Sequence, residues 1–152
     1  MPETLIDLAG LQAMSQGQLD DLFRQSPAGD IPDGQADGTV LVAPGTQLSE
    51  IAAKLIHLLG WKGKVFHRDR GELENRVLLT GIQAVQARVY KEASWFDGRE
   101  CIVLDYSHTS LIAHWIRDEM RLVAPNLYLG IVFWDHTKLV DFVLRFPAAS
   151  EG

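Results

Sequence analysis

Two tight turns in the C-terminal half constrain this chain more than any other feature. Trp95-Phe96-Asp97-Gly98-Arg99-Glu100 sets Asp-Gly between two alternating runs. That dipeptide is the strongest short-range hairpin signal, because a two-residue type I′ turn needs positive φ twice. A second hairpin reads from residues 127–134 through Asp135-His136-Thr137-Lys138 to residues 139–146, with a turn before it at Pro125-Asn126. The chain therefore builds a meander of antiparallel strands rich in aromatic residues. The expected fold is α+β: a curved antiparallel sheet or small β-barrel, with N-terminal helices and one helix covering or plugging it.

Two short helices are expected at 3–14 and 16–25. Leu5, Leu8, Leu11 and Met14 recur at helical spacing. Ser15-Gln16-Gly17-Gln18 has the form of a capping box, Asp20 and Asp21 load the first turn, and Pro27 ends the second helix. Residues 27–38 read as a Gly/Pro/Asp loop between a helical arm (1–37) and a barrel domain (38–148), with a short tail at 149–152. In the body, a short strand is expected at 39–43. A helix at 47–59, capped by Thr46 and ended by Gly60, carries Leu48, Ile51, Leu55 and Leu59 on one face. Strands follow from Trp61 to Phe66, from Arg76 to Leu79 and around Val85–Tyr90. In the next, Ile102, Leu104 and Tyr106 alternate with Cys101, Val103 and Asp105, whose face is less polar than a solvent face should be. Residues 111–123 fit a helix or a strand.

With 47% hydrophobic and 22% charged residues, 152 residues form one domain with a full core. The single cysteine, Cys101, excludes an intrachain disulfide and reads as a buried, inert thiol. The net charge of −6 gathers in residues 1–50, which hold eight acids against one base, Arg24. The absence of a basic footprint argues against nucleic-acid binding. No run approaches the roughly 18 apolar residues of a membrane span. Met1-Pro2-Glu3 does not open a secretory signal, so a cytoplasmic location is expected.

Gly60-Trp61-Lys62-Gly63-Lys64-Val65-Phe66 follows an apolar helix. A strand ending in Asp105-Tyr106, the apolar segment 111–117, Leu127-Tyr128-Leu129-Gly130 and a terminal Phe142-Val143-Leu144-Arg145-Phe146 come after it. Over residues 45–146 this order resembles the GXWXG family of uncharacterised bacterial lipocalin-like proteins. Ala43-Pro44-Gly45-Thr46 stands where that family has Gly-x-Trp-x-Gly. The resemblance implies a calycin-like barrel with a central cavity, favours a strand at 111–117, and implies no reaction.

The densest polar cluster is Asp105-Tyr106-Ser107-His108-Thr109-Ser110, at a strand end. His108 can exchange a proton near neutral pH and Asp105 can orient it, so these two are the candidate acid/base residues. No Gly-x-Ser-x-Gly elbow accompanies them, and the bland alternative is a turn whose side chains cap backbone groups. His57, His67, His108, His114 and His136 lack metal-site spacing, so no metal and no cofactor are expected. Haem held by one axial histidine, His67 or His114, is the minor alternative. The charged run Arg117-Asp118-Glu119-Met120-Arg121 reads as a ligand clamp or, more commonly, a solvated face. Gly60 to Gly63 follows a helix and precedes a strand, the reverse of a phosphate loop.

Twelve of the thirteen aromatic residues fall in the expected barrel body. They either line a cavity or fill a dry core. The leading function is non-covalent binding of a small hydrophobic molecule, bearing a carboxyl or hydroxyl end, by Trp61, Phe66, Tyr106, His114, Trp115, Trp134, Phe142 and Arg145. The second is a cyclase, isomerase or hydrolase using Asp105 or His108. The third is an interaction protein that forms a homodimer through an aromatic sheet face.

Overall fold

The computed structural model describes residues 6–41, 61–77, 86–107 and 115–147, the side chains of Trp61 and Val77 excepted. The expected helix at 47–59 and the first part of the 111–117 segment lie outside the described residues. The strands are β1 (Gly34–Leu41), β2 (Trp61–His67), β3 (Glu72–Val77), β4 (Gln86–Ala93), β5 (Glu100–Asp105), β6 (Ile116–Ala124), β7 (Leu127–Trp134) and β8 (Thr137–Arg145). Each pairs antiparallel with its successor, and β1 closes on β8, from Asp37 opposite Arg145 to Leu41 opposite Asp141. The described residues form an eight-stranded up-and-down barrel with two α-helices.

Closure sorts the strands by their period of two. Phe66, Leu73, Ile102, Leu104, Met120 and Leu144 meet in one apolar cluster inside the barrel. Their strand neighbours Cys101, Val103 and Val143 meet Leu129 and Ile131 in a second cluster on the outer face. That outer cluster is completed by Leu11 of α1 (Leu8–Gln12) and by Leu19 and Phe23 of α2 (Gln16–Gln25), all buried. Each such side chain contributes about 1.5–3 kcal/mol by leaving water. The apolar character of the face shared by Cys101 and Val103 thus has a cause: the helical arm covers it. Burial also pushes the Cys101 thiol up to about 12, so it is a packed, unreactive group.

The capping box at the start of α2 is complete. Ser15 Oγ accepts from Gln18 N at 3.2 Å, and Gln18 Oε1 accepts from Ser15 N at 2.9 Å. Counted from that cap, Asp20 and Asp21 fall in the second turn, not the first. There they serve as ion-pair partners, Asp20 for Lys138 and Asp21 for Arg24. α1 starts at Leu8, where Asp7 Oδ1 caps Gly10 N at 2.8 Å, rather than at residue 3.

Other boundaries also differ from the sequence reading. β1 begins at Gly34, inside the stretch expected to be loop, because its Gly-Gln-Ala-Asp residues pair with β2. β3 begins at Glu72, ahead of the expected Arg76. The Asp97-Gly98 turn is not type I′. Ser94 N donates to Arg99 O at 2.8 Å and Gly98 N donates to Ser94 O at 2.9 Å, so four residues make the loop and only Gly98 takes positive φ (76°). The Ser94 hydroxyl drives this choice by accepting from Phe96 N at 2.8 Å. The two-residue turn lies at Asp135-His136, whose φ values of 46° and 70° fit type I′.

The charged run on β6 is no solvated face. Arg117, Asp118, Glu119 and Arg121 are all buried. Glu119 accepts from Ser94 Oγ at 2.5 Å and from Trp95 N at 2.7 Å. Arg117 donates to Glu119 Oε2 at 3.1 Å and to Glu92 Oε2 at 2.7 Å. Arg121, fully buried, grips Asp97 with bonds of 2.6 and 2.8 Å, donates to the carbonyls of Phe23, Arg99 and Glu100, and lies over the Phe23 ring. One guanidinium thus joins α2, the β4–β5 hairpin and β6.

This pair makes stability depend on pH. The Arg121 hydrogen bonds hold the Asp97 carboxyl below the ordinary carboxylate range. A lowered folded-state pKa contributes stability that is present above the unfolded-state value and is lost as pH falls through the folded-state value. Asp97→Asn is expected to cost about 2–4 kcal/mol at pH 7, as one partner of a buried pair is removed. The gap between wild type and variant should narrow between pH 5 and pH 2 in urea unfolding. A gap that stays constant over that range would refute the assignment.

Candidate functional site

Inside the barrel, among the described residues, four polar side chains interrupt the apolar wall. Lys64 (β2), Asn75 (β3), Tyr106 (just past β5) and Asp118 (β6) are all buried and converge. Lys64 Nζ donates to Asn75 Oδ1 at 2.7 Å and to Tyr106 OH at 2.7 Å, and pairs with Asp118 Oδ2 at 3.2 Å. Asn75 Nδ2 donates to Tyr106 OH at 2.9 Å. The ammonium also faces the rings of Tyr106 and Phe142, 5.3 and 5.5 Å from their centroids.

The backbone explains how Lys64 comes to point inward. β2 bulges between Trp61 and Gly63, which leaves Lys62 exposed while Lys64 and Phe66 face in. Gly63 is required there. Its φ is 146°, and a Cβ would sit 2.1 Å from the Ala36 carbonyl oxygen. On β6, Ile116 and Met120 flank Asp118 on the inner face, while Arg117, Glu119 and Arg121 point to the outer networks.

The electrostatics fix what this cluster can do. Burial pulls the Lys64 ammonium down, but Tyr106 and Asp118 beside it outweigh that, and its pKa is raised. Lys64 therefore keeps its proton and acts as a charge and hydrogen-bond donor, not as an amine nucleophile. Burial pushes Tyr106 up to about 12 despite the neighbouring Lys64, so it is a neutral phenol. Burial also raises the Asp118 carboxyl, against the pull of Lys64 and of a Tyr106 hydrogen bond. Asp118 Oδ2 takes the Lys64 contact, whereas Asp118 Oδ1 is buried with no hydrogen-bond partner.

The sequence-derived candidates scatter around this centre. Phe66, Tyr106 and Phe142 stand in the barrel interior. Phe142 lies across Gly130, where a Cβ would come within 2.1 Å of Phe142 Cζ. Trp134 is half-buried at the end of β7, opposite Ile116. Trp115 is 45% exposed and Arg145 faces solvent. Asp105 lies on the outer side of β5, where its carboxylate accepts from Tyr90 OH at 2.9 Å and from Ser107 N at 2.8 Å. His67 ends β2, half-buried. The Trp61 side chain, His57, His108 and His114 lie outside what is described. Among the described residues, no three His, Cys, Asp or Glu side chains converge as metal ligands.

Sequence reasoning gave Lys64 and Asn75 no site role, and took Asp118 only as part of the charged run at 117–121, a ligand clamp or a solvated face. The usable signal was alternation. Ile116, Asp118, Met120 and Leu122 share one face of a strand, as do Lys64 and Phe66, and a lone charge in an apolar row marks an inward polar group.

No family model matches the chain, and no curated protein matches it. Its fold is shared with a solved structure of a protein from Thermomonospora curvata, at 15% identity and a TM-score of 0.60, over 89% of each chain. No helix among the described residues is long and apolar enough to cross a membrane.

Two mutational outcomes follow from the geometry. Asp118→Leu strands the buried ammonium and is expected to cost about 3–5 kcal/mol, whereas the double change Lys64→Met with Asp118→Leu recovers most of that loss. Denaturant unfolding of the three proteins checks this, and a double variant no better than the single one contradicts the pairing. Gly130→Ala should cost about 1–3 kcal/mol through overpacking. Combined with Phe142→Leu it should cost less than the sum of the two separate losses.

Proposed function

We propose that the chain is a lipocalin-like carrier whose barrel takes up a small, mostly apolar molecule and orients it against the Lys64–Asp118 pair. One observation carries this reading. An ion pair sits fully desolvated in an apolar interior, an arrangement that hydrophobic residues of equal volume would match or exceed in stability. A fold that keeps such a pair without a stability gain is keeping it for another purpose. Polar groups placed at one point in an apolar enclosure are the usual means of fixing a ligand's orientation. An eight-stranded barrel has an interior of the size that holds side chains or one small ligand. Two inward positions, Ala36 and Ala87, are kept small. Affinity would come from apolar area at about 25 cal/mol per Å².

The neutral fluorophore N-phenyl-1-naphthylamine tests the proposal. It should bind one equivalent of native protein saturably, with blue-shifted emission. Ala87→Leu, which fills the interior, should weaken binding at least ten-fold while the thermal transition stays cooperative. Gln86→Leu, on the outer side of the same strand, should leave binding unchanged. Absence of saturable binding, or equal effects of the two variants, would remove the carrier reading.

A further inference from the structure

We propose that the ligand's polar end is a neutral hydrogen-bond donor, an alcohol or phenol O–H, received by Asp118 Oδ1, and that free carboxylates are disfavoured. This rests on the carrier reading above. Three features of the interior lead to it.

Asp118 is 4% exposed, and its Oδ1 is buried with no hydrogen-bond partner. An unsatisfied buried acceptor costs about 1–3 kcal/mol, more when charged, so such an atom calls for a donor. An ether, a ketone or a hydrocarbon supplies none. An O–H does, and the bond it makes to a carboxylate in a dry site is of the stronger, charge-assisted kind.

The obvious rival is a carboxylate captured by Lys64, and the geometry disfavours it. An ammonium has three donors, and those of Lys64 meet Asn75 Oδ1, Tyr106 OH and Asp118 Oδ2. An incoming carboxylate would have to displace one of these. It would also set a second negative charge beside Asp118, with one ammonium to serve both. Like charges in a desolvated site repel strongly. An alcohol brings no charge, uses an acceptor that lacks a partner, and leaves the Lys64 contacts intact.

The Lys64 charge sets the strength of the acceptor. At 3.2 Å from Oδ2 the ammonium favours the anionic form of the Asp118 carboxyl, against the burial that raises its pKa. Lys64 is therefore a positioning residue that acts on the ligand through Asp118. The same logic predicts how selectivity reverses. Without the Asp118 charge, Lys64 becomes an uncompensated cation and a site for a carboxylate.

Competition against bound N-phenyl-1-naphthylamine measures this with 1-decanol, its methyl ether and decanoate at pH 8. On the wild-type chain, decanol should displace the probe at a concentration at least ten-fold lower than either of the others. In Asp118→Asn the order should invert, with decanoate gaining at least ten-fold and decanol losing its advantage over the ether. The wild-type series stands alone if the variant does not fold. Equal displacement by decanol and its ether, or strongest displacement by decanoate, would overturn the donor assignment while leaving the carrier reading in place. Failure of the probe itself to bind would remove both.

Discussion

Closure of β1 onto β8 is the constraint on which the rest of the molecule depends. It turns an eight-stranded ribbon with two unpaired edges into a wall with an inside, and only then can alternation along each strand mean enclosure. The join lies where β1 changes hands: Asp37 pairs with Gly63 of β2 on one side and with Arg145 of β8 on the other. Gly63 permits that approach, since a side chain there would collide with the Ala36 carbonyl. The same bulge turns Lys62 out and Lys64 in. The residue that lets the barrel close is therefore next to the one that charges its interior.

β6 shows how a barrel strand serves two environments at once. Its inward residues build the interior wall around Asp118. Its outward residues, Arg117, Glu119 and Arg121, would meet water in a bare barrel but are buried by the helical arm and the β4–β5 hairpin. Arg121 is the keystone of the outer layer because its five N–H groups suit several carbonyls and a carboxylate at fixed angles, which a lysine cannot reproduce. Gln16 and Lys138 add a second tie, from α2 to the buried Asp141. The arm is thus held by polar contacts at its edges and by Leu11, Leu19 and Phe23 at its centre.

Periodicity and turn chemistry made much of this legible in the sequence. The capping box at Ser15, the β7–β8 hairpin and the alternation at 101–106 all rest on local rules, and local rules hold where short-range geometry decides the outcome. The Asp97-Gly98 turn departs from its dipeptide because a neighbour outside the pair, the Ser94 hydroxyl, and a partner from β6, Arg121, select a longer loop. The start of β1 was hidden because Gly34 to Asp37 have weak strand preference and are ordered by pairing with the distant β2, which no single segment reveals. The site was least legible. Asp118 sits in a run of five residues of which four are charged, and composition suggests solvent there. Only the combination of strand assignment and alternation places it in the interior.

The interior pair has a consequence for how such a barrel changes over time. Apolar walls are permissive: leucine, isoleucine and methionine exchange at a cost usually below about 1.5 kcal/mol. Lys64 and Asp118 are different, because losing either one leaves the other charged and buried. Substitutions along the apolar wall can accumulate by small steps, whereas a change at either member of this pair leaves a buried charge that its partner must answer.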